Sequence, residues 1–282
     1  MVFYSTVDEL RQFLRPSNSS IPLDIAALWV AAVEYPDLTE ESRRAPFLEL
    51  LDSHARELGE ITAGCSDGEA WVRTANSYLF ENLGFAGNQD DYYAAANSCL
   101  NDVLMTRTGL PITLAVVFME IARRLGKRAD GIGLPGHFVV LFEDGDYRTF
   151  VDCFHGGRLL DAGDCHALAL EVAGVDITHN PGALEPIPPR NIVFRMLHNL
   201  RNAYHRASQP AKAVRVLDLL IEAEPAAATL VRERGDVLAH LGRHAAALAD
   251  WERYLKLVPN APDAAAVRHR ADAVRRSLRS LN

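Results

Sequence analysis

The chain has 282 residues, 49% of them hydrophobic, which suits ordinary buried cores and, by length, two domains. Its net charge of −8 excludes the basic stripe of a dedicated nucleic-acid binder, and no apolar run is long enough for an uncharged membrane span. Cys65, Cys99, Cys153 and Cys165 lack CxxC spacing, and the N-terminal stretch with Asp8, Glu9 and Arg11 does not read as a signal peptide, so a reduced cytoplasmic protein without metal or other cofactor is expected.

Residues 1–90 read as helical. Thr6-Val7-Asp8-Glu9 fits a capping box. Ile25, Leu28, Trp29, Ala32 and Val33 recur at helical spacing until Pro36, and Thr39-Glu40-Glu41-Ser42 opens a second helix. Trp71, Ala75, Tyr78, Leu79 and Asn82 predict a third, closed by Gly84 as a left-handed cap. Gly87-Asn88-Gln89-Asp90-Asp91 is a loop that imitates half a calcium loop but lacks its glutamate and spacing. Asn97 is placed to cap a short helix holding Leu100, Val103 and Leu104.

Gly109 breaks the chain again. Pro111 suits the first position of the next helix, where a missing amide costs nothing. Leu114, Val117, Phe118, Ile121 and Leu125 line one face of that helix, other apolar residues surround them, and the element should be central and buried. From Gly131 the period changes to strands. Phe138-Val139-Val140-Leu141-Phe142 is a continuous apolar run, Glu143-Asp144-Gly145-Asp146 a hairpin turn, residues 148–154 the return strand, and Arg158-Leu159-Leu160 a short third strand.

Four prolines (Pro181, Pro186, Pro188, Pro189) make residues 181–192 a stiff linker. Beyond it, Ala213 and Ala247, Leu217 and Trp251, Leu220 and Tyr254, and Pro225 and Pro259 are each 34 residues apart, the tetratricopeptide repeat (TPR) period. Residues 193–282 should hold two repeats and a polar-faced capping helix. Five arginines in the last twenty residues (268, 270, 275, 276, 279) read as the solvated face of that helix. The fold class is α+β. A helical part (1–90) and a core with a small antiparallel sheet (91–180) precede the linker and an all-α hairpin array.

The segments carrying chemistry are Gly109-Leu110-Pro111-Ile112-Thr113, Pro135-Gly136-His137-Phe138 and Val151-Asp152-Cys153-Phe154. A buried helix followed by a hairpin with His on one strand and Asp on the next is how papain-like folds assemble a triad. The nucleophile sits at the helix N-terminus, His takes its proton, and Asp fixes the His tautomer. This arrangement resembles the transglutaminase-like superfamily, whose helix begins Gly-x-Cys with a small residue four on, Arg twelve on and Gly fifteen on. Ala115, Arg123 and Gly126 fit those offsets, His137 and Asp152 match the family's His and Asp, and Pro111 stands at the cysteine position.

Longer segments, among them Phe85-x-Gly87-Asn88-x-Asp90-Asp91-Tyr92-Tyr93 and Asp152-x-Phe154-His155-Gly156-Gly157, resemble the bacterial SirB-type family described as regulators of sirC expression, built from a transglutaminase-like domain followed by TPR repeats. That resemblance implies the architecture more than an activity. Cys153 departs from it, since a proline is more typical there.

Other nucleophiles fit poorly. Thr113 lies about 200° around the helix from Pro111, and strand alternation turns Cys153 to the sheet face opposite Asp152. The same alternation turns His155 away from Asp152, which disfavours a metal site of His137, Asp152 and His155. His137 and Asp152 can satisfy each other as a structural pair, or grip a peptide or amide group in a cleft with Asn97, Thr113, Cys153 and His155. The expected function is therefore a non-catalytic interaction or regulatory protein, binding a protein or peptide partner through the TPR segment, with neither membrane nor nucleic acid as partner. The competing reading is a cryptic hydrolase or acyltransferase that uses His137 and Asp152 with Thr113, Cys153 or an activated water.

Overall fold

The computed structural model describes residues 10, 12–14 and 21–280, so the capping box at Thr6–Glu9 lies outside the described residues. The chain divides into two compact units between Met196 and Leu197.

In the first unit, helices Leu23–Ala31, Glu41–Thr62 and Gly68–Asn76 precede a central helix, Pro111–Arg124. Pro36 opens a short 3-10 turn rather than simply stopping a helix. The third predicted helix ends earlier than its apolar spacing suggested, because residues Ser77–Asn82 form a π turn before Gly84 closes it at φ 76°. Nearly every residue of the central helix up to Ala122 is buried. It packs against the helices before it and against the sheet after it, so no face of it is left for solvent.

The sheet has four antiparallel strands in sequence order: β3 (Arg128–Ile132), β4 (Val139–Asp144), β5 (Tyr147–Asp152) and β6 (Arg158–Leu160). A two-residue parallel pair, β1 (Ala86–Gly87) with β2 (Thr108–Gly109), lies outside it. Gly145 and Asp146 make the tight turn between Asp144 and Tyr147, with Gly145 at φ 60°. The uninterrupted apolar run in β4 has a direct cause in that both sheet faces are covered. Phe142 stacks on Trp71 at 5.0 Å on the helical side. Val139 and Leu141 join Phe150, Leu160, Cys165 and Ala169 in a second core beneath the helix Ala162–Ala173, which is additional to the expected elements.

The proline-rich stretch is tied to the sheet of the first unit. The Ile187 amide donates to the Gly131 carbonyl on β3 at 2.9 Å, and Pro189 is the first residue of the helix Pro189–Arg206, which runs through the division between the units. Proline's fixed φ favours that first helical position.

The second unit continues with helices Pro210–Ala223, Ala228–His240, His244–Leu257 and Ala264–Ser280, each packed against its neighbour in sequence. Gly235 lets its helix pack closely on the next, since a Cβ there would come within 2.9 Å of the Trp251 ring. Three of the C-terminal arginines are engaged: Arg268 with the Pro259 carbonyl, Arg270 with Asp236, and Arg275 with Glu252.

Candidate functional site

His137 and Asp152 reach each other from the loop before β4 and the end of β5. A turn with Gly136 at φ 70° delivers His137 two residues before β4 begins, and Asp152 is the last residue of β5. Arg195, from the helix Pro189–Arg206, donates to the carbonyls of Leu134 and His137 at 3.0 and 2.9 Å and lies over the Phe138 ring. It pins the loop that carries His137, and its own burial lowers its pKa. Nothing in the local sequence signals this, because Arg195 is 58 residues from the carbonyl it holds.

His137 Nε2 lies 2.9 Å from Asp152 Oδ1, with the two side chains 5% and 2% exposed. Burial alone would raise the Asp152 carboxyl, but the hydrogen bonds and positive character of His137 and His155 outweigh it and hold the group below the ordinary carboxylate range. Asp152 Oδ1 also accepts from the backbone amides of Phe154 and His155 at 3.2 and 3.4 Å, so the carboxylate is fixed from two directions.

His155 requires a correction. Strand alternation stops at Asp152, because Cys153–His155 is a 3-10 turn closed by Gly156 and Gly157, both at positive φ. The turn brings His155 back, and its Nδ1 lies 2.7 Å from Asp152 Oδ2. The rings of His137 and His155 stack at 5.6 Å with 21° between their planes. The turn is held by close approach. A Cβ on Gly157 would sit 2.4 Å from Phe80, and one on Gly87 would sit 2.4 Å from Phe154, whose ring meets His137 edge-on. Tyr92 packs edge-on against the same Phe154 ring at 5.8 Å.

The remaining candidates fall elsewhere. Pro111 is buried at the start of the central helix, which packs against the turn Cys153–His155. Thr113 Oγ1 accepts from the Leu110 amide at 3.0 Å and lies 2.7 Å from the Asn97 carbonyl as donor, so its hydroxyl serves the helix start. Asn97 caps no helix. It sits in a 3-10 turn, accepts from Asn88 and donates to the carbonyls of Asp91 and Tyr92, and so ties down the loop before it. Cys153 also escapes the alternation argument, since it lies in the turn rather than on a strand. It is fully buried, and burial beside Asp152 pushes its thiol far up. Burial likewise pushes the Cys165 thiol up to about 12.

A buried helix, a hairpin bearing a paired histidine and aspartate, and an array of antiparallel helix pairs define a transglutaminase-like domain followed by tetratricopeptide repeats. Residues 45–198 match the transglutaminase-like superfamily and residues 200–272 match a tetratricopeptide repeat family. A UPF0162 protein of Xylella fastidiosa is 35% identical over 94% of this chain and 92% of its own length. A UPF0162 protein of Pseudomonas aeruginosa is 30% identical over 82% of this chain and 83% of its own. The chain belongs to the transglutaminase-like superfamily and, within it, to the UPF0162 proteins. Human F-box only protein 21 is 34% identical over a shorter stretch, 33% of this chain and 16% of its own. No helix among the described residues is long and apolar enough to cross a membrane.

Proposed function

We propose that this chain is a non-catalytic interaction protein in which a degenerate transglutaminase-like cleft accompanies a TPR surface for a protein or peptide partner. The observation that carries the reading is Pro111 at the start of the buried helix, where the superfamily places its cysteine. Proline has neither a nucleophilic atom nor an amide hydrogen for an oxyanion. Two further observations support it: the Thr113 hydroxyl is committed to backbone groups, and the Cys153 thiol is buried and held protonated. Tetratricopeptide repeats generally mediate protein–protein contacts, and the resemblance to SirB-type regulators fits a regulatory role for such binding. The four cysteines are all free thiols, in keeping with a cytoplasmic setting.

The test is to incubate the full chain with amine donors, glutamine-bearing peptides and a peptide library. Binding without turnover is expected. Turnover that disappears in His137→Ala would overturn the proposal in favour of a hydrolase or acyltransferase.

A further inference from the structure

We propose that His137, Asp152 and His155 form a binding site for one divalent transition-metal ion, of the two-histidine, one-carboxylate kind. Among the described residues this is the group of three such side chains whose ligand atoms all lie within 4.8 Å of one another. Nε2 of His137 and Nδ1 of His155 address the two different oxygens of Asp152, at 2.9 and 2.7 Å. Tetrahedral zinc with bonds of about 2.0–2.1 Å to nitrogen and oxygen sets its ligand atoms about 3.3 Å apart, so a small opening of this cluster admits the ion.

A histidine–aspartate pair inherited from a triad needs only one imidazole, and His137 supplies it. The second is the unexplained part. His155 keeps 45% of its side chain exposed yet turns its Nδ1 inward onto a carboxylate that is 2% exposed. The backbone is built to do this, through a 3-10 turn and two successive glycines at φ 68° and 75°. The carboxylate has the outer support typical of metal ligands, because the Phe154 and His155 amides orient Asp152 Oδ1. The exposed edge at His155 offers the ion an entry path. Two imidazoles and one carboxylate suit zinc, iron, cobalt or nickel better than magnesium or calcium, and three ligands leave coordination positions for water or a partner's side chain. The proposal goes beyond the interaction reading, and its test reads metal occupancy rather than turnover, so either can fail alone.

The experiment strips the full chain with a chelator and titrates it with Zn2+ by calorimetry and with Co2+ by visible absorption. One ion per chain is expected. His155→Ala, a change at an exposed side chain that leaves the circular dichroism spectrum intact, should weaken binding by about ten- to a hundred-fold, while His244→Ala at an exposed helix start should leave it unchanged. Absence of saturable binding up to about 1 mM Zn2+, or an affinity unchanged in His155→Ala, would overturn the site.

Discussion

Two buried carboxylates, Asp250 in the helical array and Asp152 in the transglutaminase-like unit, are handled in opposite ways. In the helical array, Asp250 is the buried charged residue among those described, and Arg234 clamps it with two hydrogen bonds while a third reaches Asp218. Asp218, Arg234 and Asp250 lie on three successive helices at intervals of 16 residues, so the clamp registers the stack. In the transglutaminase-like unit, Asp152 is met by two imidazoles, one buried and one open to solvent, and His137 Nδ1 makes no hydrogen bond to a described residue. The clamp is closed on itself, whereas the histidine cluster keeps donor and acceptor capacity for something else. On the proposed function, a buried polar group serves assembly in one place and recognition in the other, and the partner chemistry distinguishes them.

Substitutions in the two units should separate these roles. The largest expected effect is in the array: Trp251→Ala, at a side chain packed on Gly235 and hydrogen-bonded to Asp236, should cost about 3–5 kcal/mol in chemical denaturation. In the first unit, His137→Ala should cost about 1–3 kcal/mol, because it removes the imidazole partner of a buried carboxylate and leaves Asp152 Oδ1 only the two backbone amides. A loss of peptide capture in this variant without any loss of stability would mean that the cluster is a binding device alone.

The smallest expected effect is a pH dependence. His54, buried and 3.2 Å from the Tyr78 hydroxyl, has its pKa lowered first by burial and further by Arg107, against an opposing pull from Glu57. The unfolded chain then binds the proton more readily, so this stabilisation is present above the unfolded value near 6.5 and is lost as pH falls towards the folded one. Melting curves at pH 7.5 and pH 5 should show His54→Gln losing less stability on acidification than the unmodified chain.

The central helix, the hairpin, the short third strand and the repeat period were legible in the sequence, because each is written in local periodicity or in glycine and proline placement. The pairing of His137 with Asp152 was legible from resemblance to a known pattern. What escaped depends on where regular structure stops. Asp152 ends its strand, so counting alternation past it misplaced Cys153 and His155. Asn97 looks like a helix cap by type, but its amide is used to fasten a preceding loop, a tertiary choice with no local signature. Arg195 acts across a long stretch of chain, and the π turn at Ser77–Asn82 interrupts a helix whose apolar spacing reads straight through it.

In the proposed function the cleft keeps its histidine and aspartate but presents no nucleophile. Thiol alkylation near neutral pH, mapped by mass spectrometry on the folded protein and on Pro111→Cys, tests it most directly. Cys153 is expected to stay unlabelled in both, and Pro111→Cys to gain a fast-reacting thiol whose rate falls when His137 is also replaced by alanine. Rapid labelling of Cys153 in the unmodified chain would contradict it.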